Sequence, residues 1–266
     1  MSSYDIQYSN IVNDILCNGY LDDNRTGVKT KKVCHKDIRI DLEKEFPILT
    51  LKKTYFKTAV KEMLWIYQAQ SNDIRELQAS GCHVWDEWIQ EDGTAGKTYG
   101  YQVGKNNQID RLLNALKNDP QDRRMIIDLW NIEDFEDDWN DGKNTLPPCC
   151  WSLEFDVNNG RLNCKVNQRS ADLGLGLPFD SIHFAVLTHM LAKCSGLIPG
   201  MLWHTINNAH LYENQFEAMK EVIKREPYPS PVLKIADKTN FYDFRPEDFE
   251  LIDYKCHDAV RMDVVV

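Results

Sequence analysis

The sequence predicts an α+β fold, in which helices and strands are mixed without a regular strand–helix–strand alternation. Segments with apolar residues at three-and-four spacing lie irregularly between segments in which every second residue is apolar. Two of the latter, residues 153–157 and 162–167, flank the sequence Asn158-Asn159-Gly160, which is typical of a hairpin turn. Antiparallel hairpins and irregularly placed helices favour α+β over a doubly wound parallel sheet.

Apolar periodicity predicts five helices, which cover residues 4–20, 55–69, 109–118, 179–194 and 213–225. In the second helix, Phe56, Val60 and Leu64 form one apolar face, and Glu62 falls on or beside that face. The fourth helix is apolar along most of its length, which is typical of a buried central helix. Alternation predicts further strands at residues 30–41 and 124–131.

Length and composition predict a single domain over residues 1–266 that is not a nucleic-acid-binding protein. The chain has 266 residues, with no low-complexity linker and no internal repeat. Its net charge of −10 is unfavourable near a polyphosphate, so duplex nucleic acid is disfavoured as a partner. The sequence contains no run of 18 apolar residues, so no membrane span is predicted. The polar N-terminus lacks the basic and then apolar segments of a secretory signal, so we expect a cytoplasmic protein.

The eight cysteines are expected to be reduced thiols, as is usual in the cytoplasm. No Cys-x-x-Cys pair occurs, and no histidine stands at zinc-ligand spacing from a cysteine pair, so no metal site is expected. Most such cysteines are small buried hydrophobes. Cys149 is the exception that we single out.

Two short segments predict a nucleophile beside an anion site. Leu146-Pro147-Pro148-Cys149-Cys150 places a thiol on a stiffened turn, and Gln168-Arg169-Ser170-Ala171-Asp172 supplies a guanidinium, a hydroxyl and a carboxylate. A thiol attacks as its thiolate, and a nearby cation favours that form by lowering the thiol pKa. This pairing indicates an enzyme.

The chain resembles the thymidylate synthase family nearly end to end. Nine segments occur in the family's order and at close to its spacing: Asp23-Asn24-Arg25-Thr26-Gly27, Glu62-Met63-Leu64-Trp65, Trp85-Asp86-Glu87-Trp88, Tyr99-Gly100, Arg123-Arg124, Leu146-Pro147-Pro148-Cys149, Gln168-Arg169-Ser170-Ala171-Asp172, Gly176-Leu177-Pro178-Phe179 and His210-Leu211-Tyr212. The resemblance implies a mixed sheet packed with helices and a homodimer formed through the sheet. It also implies 5,10-methylenetetrahydrofolate as co-substrate, with no metal.

The resemblance implies a covalent mechanism at the pyrimidine ring. Cys149 would add to C6 as a thiolate, which makes C5 nucleophilic toward the one-carbon unit of the folate. Arg169 would activate the thiol and also contact the nucleotide phosphate. Glu62 would move protons through waters, and Tyr99 would help to remove the C5 proton.

Binding roles are implied in the same way. The nucleotide would contact Arg25, Arg123, Arg124, Gln168, Arg169, Ser170, Asp180, His210 and Tyr212, with Arg123 and Arg124 supplied by the partner subunit. Guanidinium groups suit a phosphate monoester because they bind its oxygens in pairs. The folate would contact Val84, Trp85, Asp172, Leu175, Gly176, Phe179 and Val266.

The sequence departs from the thymidylate synthase pattern at Asp180, Cys150 and Gly174, and at Asn207-Asn208, where the family has Gly-Asp. Asp180 stands where the family has asparagine, and an aspartate can accept from the cytosine amino group and share a proton with N3. Related deoxycytidylate hydroxymethylases carry aspartate there, so Asp180 predicts dCMP as the substrate. Cys150 replaces a histidine, which agrees with a cytosine base. Gly174 replaces a bulky residue and is expected to leave room for water.

The final step has two possible outcomes. Water would give a hydroxymethyl group, and hydride from the folate would give a methyl group. Trp85 and the tail Val264-Val265-Val266 favour a dry site, whereas Asp180, Cys150 and Gly174 favour hydration. We expect hydroxymethylation of dCMP by a phage or other viral enzyme that protects its DNA. The alternatives are methylation of dCMP, methylation of dUMP, or an inactive nucleotide- or RNA-binding homologue, which the presence of Cys149 disfavours.

Overall fold

A six-stranded mixed sheet with helices on one face forms the centre of the protein and confirms the predicted α+β class. The computed structural model describes residues 2–24, 26–135 and 146–265. The sheet has the order β1-β2-β6-β5-β4-β3, and β7 pairs with β8 in a separate hairpin. The strands are β1 Tyr20–Asp22, β2 Thr30–Asp41, β3 Ile126–Asp128, β4 Cys150–Asn158, β5 Arg161–Asp172, β6 Ile198–Tyr212, β7 Val232–Ile235 and β8 Phe249–Ile252.

The helices of the described ranges are α1 Ser3–Asn18, α2 Phe56–Met63, α3 Ile74–Ala79, α4 Tyr99–Lys105, α5 Gln108–Asn118, α6 Gly176–Ser195 and α7 Phe216–Val222. Helix α1 begins where the Ser2 hydroxyl accepts from the Asp5 amide, which satisfies one of the free donors of the first turn. It packs against β2 and β6 and covers one end of the sheet.

The predicted hairpin between β4 and β5 is confirmed. Asn158 pairs with Arg161, and both Asn159 and Gly160 have positive φ angles of 49° and 74°. Two successive left-handed residues match the twist of the flanking strands, which is why Asn-Gly is favoured at this turn. The register of β4 against β5 shifts between Cys150 and Ser152. Such irregularities re-aim side chains, and this one directly follows Cys149.

Helix α6 connects β5 to the parallel strand β6 and lies at the centre of the core. Nearly all of its side chains are buried, because α2 and α5 pack on it from one side and the sheet from the other. Pro178 lies in its first turn, where the missing amide costs no helical hydrogen bond. Gly196, with φ of 67°, ends the helix in the left-handed conformation. The predicted buried helix at 179–194 is thus confirmed.

The helix predicted at 55–69 changes character halfway. Helix α2 ends at Met63, and Leu64–Gln68 continues as a π-helix in which the Ala69 amide donates to the Leu64 carbonyl at 2.8 Å. The wider turn inserts one extra residue into the helix, and π-helices of this kind are frequent at functional sites. Gln68, at the end of the π-helix, donates to the carbonyls of Phe241 and Phe244.

Other elements differ from the expectations. The strand predicted at 124–131 contracts to Ile126–Asp128, and the helix predicted at 213–225 begins as a 3-10 turn, Glu213–Gln215, before α7. Strand β6 was not predicted. Pro199 and Gly200 near its start and two adjacent asparagines, Asn207 and Asn208, interrupt the alternation of apolar residues. Pairing with β2 and β5 on both sides overrides this weak local pattern.

The face of the sheet away from the helices exposes large apolar side chains. Trp151 is 40% exposed, Met201 37% and Trp203 38%, although all three lie on strands of the sheet. The Arg39 guanidinium covers the Trp203 ring at 4.1 Å from its centroid. An apolar surface of this kind is typical of an interaction site. Within the described ranges, no helix is long and apolar enough to cross a membrane.

Candidate active site

Cys149 lies where the chain enters strand β4, with its side chain partly exposed. Its backbone amide donates to the Tyr99 hydroxyl at 2.8 Å, and its carbonyl accepts from the Arg169 amide at 2.8 Å. The neighbouring Cys150 is buried, and burial raises the pKa of its thiol well above the usual value. All eight cysteines are free thiols. Of the two adjacent cysteines, Cys149 therefore has the accessible thiol.

The guanidinium of Arg169 lies beside the Cys149 thiol. Arg169 Nη2 is 3.8 Å from Cys149 Sγ, and the same side chain donates to the carbonyls of Pro147 at 2.8 Å and Pro148 at 3.1 Å. These bonds tie the double-proline turn to β5 and fix the cation next to the thiol. A fixed positive charge favours the thiolate that a nucleophilic mechanism needs.

Tyr99 is the first residue of helix α4, and its side chain contacts Cys149. Its hydroxyl accepts from the Cys149 amide, and its ring packs edge-on against Trp85 with centroids 5.8 Å apart. Burial, together with the nearby Cys149, raises the pKa of the Tyr99 phenol well above its usual value, so the hydroxyl stays protonated. The structure thus brings the predicted pair Cys149 and Tyr99 together.

Glu62 is 9% exposed, although it is an acidic residue on a helix. Trp85 Nε1 donates to its Oε1 at 2.8 Å, and His183 Nε2 lies 3.2 Å from its Oε2. A buried carboxylate is expensive unless its oxygens are paired, and these two contacts supply the pairing. Glu62 is expected on or beside the apolar face of its helix, and the structure buries it there.

Asp180 lies in the first turns of α6, opposite β5. Gln168 Nε2 donates to Asp180 Oδ2 at 2.8 Å, and His204 Nε2 lies 2.5 Å from Gln168 Oε1. Burial raises the pKa of Asp180 to about 6, against the opposing effects of His183 and the Gln168 bond. A carboxyl with this pKa is partly neutral near pH 7, and its neutral form has one donor and one acceptor.

Asp172 at the end of β5 is held by two donors. The Gly174 amide donates to its Oδ1 at 2.7 Å, and Gln215 Nε2 donates to its Oδ2 at 3.2 Å. Burial raises the pKa of Asp172 and lowers that of the nearby His210. His210 Nδ1 lies 3.2 Å from Asn208 Oδ1, and its ring meets that of Tyr212 edge-on at 5.3 Å.

The expectation that Gly174 leaves room for water is wrong. A Cβ at this position would lie 2.5 Å from Gln215 Oε1, so the space is filled by the Gln215 side chain. That amide also accepts from the Tyr212 amide at 3.1 Å. Gly174 is therefore needed for close packing under Asp172, and it gives no support to hydration of the product.

The predicted folate side is a partly open apolar surface. Trp85 is 5% exposed and packs on Trp65 and Trp88. Val84, Leu175 and Phe179 are half-buried, and Gly176 begins α6. An apolar surface next to the Asp172 carboxylate fits a flat ring with hydrogen-bond donors at its edge.

The predicted phosphate-binding residues are only partly brought together within one chain. Arg169 and Ser170 lie on β5, near Cys149. Arg123 and Arg124 are exposed just before β3, and the Arg124 guanidinium pairs with Asp122 at 2.8 Å while 86% of its side chain remains exposed. Two further predicted residues, Arg25 and Val266, lie outside the described residues.

Sequence reasoning missed three polar residues of this site. His183 follows Asp180 by three positions, a spacing that places both on one face of α6, so this signal was present in the sequence. His204 lies opposite Val166 in the β5–β6 pairing, and only this pairing of distant strands brings it to Gln168. Gln215 reaches Asp172 through the turn that follows β6. Within the described residues, no cluster of three or more His, Cys, Asp and Glu side chains is arranged to hold a metal ion.

Comparisons with known proteins agree with this geometry. The family model described as thymidylate synthase matches residues 6–266. The chain is 53% identical over 269 residues to a thymidylate synthase of Clostridium beijerinckii, and 38% identical over 286 residues to thymidylate synthase 1 of Bacillus subtilis, with 100% of each chain covered. A solved structure titled thermostable thymidylate synthase A from Bacillus subtilis is similar with a TM-score of 0.91 at 38% identity, covering 99% of each chain.

Proposed function

Because the chain belongs to the thymidylate synthase family, we propose that it methylates C5 of dUMP, with 5,10-methylenetetrahydrofolate as the source of the one-carbon unit. Relatives that cover the whole chain are named thymidylate synthase. These names support methylation of dUMP better than hydroxymethylation of dCMP, to which the Asp180 substitution had pointed. The filled space beside Gly174 removes a second argument for hydration.

The observation that carries the proposal is the grouping around Cys149. Arg169 Nη2 lies 3.8 Å from its thiol, and the Tyr99 hydroxyl accepts from its amide. We propose that the Cys149 thiolate forms a bond to C6, while the displaced electron pair moves toward O4 and leaves C5 nucleophilic. When bound, the folate supplies the one-carbon unit and then the hydride that completes the methyl group. The Tyr99 phenol, which stays protonated at neutral pH, would order the water that removes the C5 proton.

The neutral, protonated form of Asp180 fits uracil. A carboxylic acid offers one O–H donor and one carbonyl acceptor, the same pair that an amide offers to uracil O4 and N3–H. With a pKa of about 6, protonating Asp180 at pH 7 costs only about 1.4 kcal/mol, since one pKa unit corresponds to that free energy. An aspartate with an ordinary pKa would cost about three times as much under the same conditions.

A second candidate substrate is dCMP, and the same carboxyl favours it. With donor and acceptor exchanged, neutral Asp180 can accept from the cytosine amino group and donate to N3. The Asp180→Asn variant separates the two candidates, because an amide fixed for uracil leaves cytosine mismatched. A mismatched polar pair of this kind costs about 1–3 kcal/mol, so the variant should lower turnover of dCMP relative to dUMP.

Three roles on the nucleotide and folate are part of the proposal. We propose that Arg169 and Ser170 hold the phosphate together with Arg25, Arg123 and Arg124, and that His210 and Tyr212 bind the sugar hydroxyl. On the folate side, we propose contacts from the following residues: Val84, Trp85, Asp172, Leu175, Gly176, Phe179 and Val266. Asp172 is suited to the pterin because it is half-buried and already oriented by the Gly174 amide.

Homodimers are typical of the family, and we propose that two chains meet through the outer face of the sheet. The exposed side chains of Trp151, Met201 and Trp203 support this surface. Arg123 and Arg124, which are exposed and distant in sequence from Arg169, would then reach the phosphate of the partner's site.

One incubation tests the proposed reaction. The protein is mixed with methylenetetrahydrofolate and either dUMP or dCMP, and the nucleotide product is identified by mass spectrometry. We expect dUMP to gain CH2, with dihydrofolate formed in equal amount. A gain of CH2O on dCMP, with tetrahydrofolate released, would contradict the proposal and restore hydroxymethylation.

A further inference from the structure

A histidine that no comparison assigns a role lies against the Glu62 carboxylate. His183 Nε2 is 3.2 Å from Glu62 Oε2, and their side chains are 6% and 11% exposed. Trp85 Nε1 donates to the other oxygen, Oε1, at 2.8 Å. Within the described part of the chain, these are the two side chains that contact the carboxylate, one on each oxygen. The Trp85 hydrogen bond holds Oε1, and His183 lies within ion-pair distance of Oε2.

We propose that His183 is a positioning residue for Glu62, which holds Oε2 in place and shares one proton with the carboxyl during the proton transfers of catalysis. The inference rests on the proposed function, because it assigns Glu62 the proton transfers of that reaction. His183 acts on the nucleotide only through Glu62.

The charges around His183 support the pairing. Burial by itself lowers the pKa of the imidazole, but the carboxylates of Glu62 on α2 and Asp180 on α6 outweigh that effect and raise the pKa above the ordinary value. The phenols of Tyr4, Tyr67 and Tyr99 and the thiols of Cys82 and Cys150 also lie near these carboxylates, and burial raises the pKa of each, so they stay neutral. The Asp172 carboxyl lies near Asp180 as well, and burial raises its pKa. The imidazolium is thus the positive charge that balances two buried carboxyl groups.

The Nε2 atom of His183 is also close to Glu62 Oε2 without forming a well-aligned hydrogen bond to it. It is buried and makes no hydrogen bond of ordinary angle among the described residues, although Glu62 Oε2 is within reach. Buried polar atoms are almost always satisfied in folded proteins, so an exception calls for an explanation. A small rotation of the imidazole would align Nε2–H with Oε2, and the position is therefore suited to a bond that forms during the reaction.

The proton movement that we infer is balanced. The Glu62 carboxylate takes the proton of the His183 imidazolium from Nε2 and then releases it through water to O4 of the base. The N–H bond of the imidazolium breaks, a carboxyl O–H bond forms, and the imidazole becomes neutral. When O4 returns its proton, the same transfers run backwards. No group outside the enzyme and its substrate is required.

The first test is a titration of the free enzyme, which needs no turnover. Histidines are labelled with carbon-13 at the ring, and the His183 resonance is identified as the one that His183→Gln removes. We expect its pKa to lie above the ordinary value of about 6.5 and to fall below it in Glu62→Gln. An imidazole whose titration is the same in both proteins would overturn the pairing. Failure of the wild type to make product would count against the proposed function instead.

The second test is kinetic and compares two variants with a matched control. His183→Gln keeps an N–H near the position of Nε2 but cannot carry the proton, and His183→Ser removes the side chain. His189→Gln is the control, because His189 lies on the same helix α6, six positions further on, and its buried Nε2 atom likewise makes no hydrogen bond. Burial lowers its pKa to about 4, so it is neutral at working pH.

We expect His183→Gln to lower kcat about 10- to 100-fold, since positioned proton transfer contributes about 10²–10⁴-fold to catalysis. The KM for dUMP should change by less than about threefold, because the residue does not bind the nucleotide. The alkaline fall of kcat that follows deprotonation of His183 should disappear in this variant and persist in His189→Gln. A kcat and pH profile like those of the wild type in both His183 variants would overturn the proposal. Equal losses in His189→Gln would also overturn it, because they would indicate a merely structural effect.

Discussion

The amide of Gln168 donates to Asp180 Oδ2 at 2.8 Å, and the direction of this bond is fixed from the other side of the amide. His204 Nε2 lies 2.5 Å from Gln168 Oε1, and burial lowers the pKa of His204 to about 3, so the imidazole is neutral. Its Nε2–H must donate to Oε1, which turns the Gln168 NH₂ toward Asp180. Asp180 Oδ2 is therefore an acceptor, and the proton of its neutral form belongs on Oδ1.

The raised pKa of Asp180 predicts that Asp180→Asn stabilises the protein above about pH 6. The native carboxyl binds its proton more tightly than the unfolded one, so the wild type loses stability as the pH rises from about 4 to about 6. With the pKa raised from 3.8 to about 6, the loss amounts to at most about 3 kcal/mol. Asparagine has no such titration. Urea unfolding at pH 5 and pH 8 measures the difference, and an equal effect of the substitution at both would contradict it.

The variants Cys149→Ala and Cys150→Ala should show which of the two adjacent cysteines is the nucleophile. The first variant should reduce tritium release from C5-labelled dUMP by more than about 10³-fold while nucleotide binding persists, because the thiolate adduct is required for exchange. Cys150→Ala should keep most of the turnover and lose about 1 kcal/mol of unfolding free energy, since a 1% exposed side chain is shortened. Exchange that survives in Cys149→Ala would exclude Cys149 as the nucleophile.

Gly174→Ala should weaken binding on the folate side. The new Cβ would meet Gln215 Oε1 at 2.5 Å and displace the amide from Asp172. Overpacking of this kind typically costs about 1–3 kcal/mol. Gly176→Ala is the comparison for stability, because its Cβ meets no heavy atom closer than 3.9 Å. A rise in the KM for the folate and a lower melting temperature in Gly174→Ala check the prediction, and two variants of equal stability would contradict it.

Subunit mixing tests whether Arg124 acts in the partner's site. Arg124→Ala and Cys149→Ala should each be inactive, but random mixing makes half of the dimers hybrids that hold one complete site. We therefore expect recovery of about a quarter of the wild-type activity. Activity that stays absent after mixing and refolding would place Arg124 in the site of its own chain. Gel filtration shows whether hybrids can form at all.

Local sequence patterns predicted the elements that are specified locally. The strand Thr30–Asp41 and the turn at Asn159 and Gly160 follow from alternation and from turn chemistry. Strand β6 did not follow, because pairing with two distant strands decides it. In the site, the family motifs led to Cys149, Arg169 and Tyr99, and the structure brings these three together.

The contacts that tune the site were harder to predict. His204 reaches Gln168 only through the parallel pairing of β5 with β6, and the packing of Gln215 against Gly174 spans more than forty positions. His183 is different, because its spacing from Asp180 is local. The sequence did not show that α2 packs against this helix, which brings the Glu62 carboxylate to the face that carries His183.

The π-helix after Glu62 changes the rotation of the second half of this helix about its axis relative to the first half. Each residue of an α-helix advances by about 100°, so removing one residue between positions 64 and 68 would rotate everything beyond it by that angle. Gln68 would turn away from the carbonyls of Phe241 and Phe244, whereas Glu62, upstream, would keep its direction. The extra residue thus sets the rotation of the second half of the helix relative to the first. The direction of the Glu62 carboxylate and the contact of Gln68 with the C-terminal part of the chain can therefore change independently.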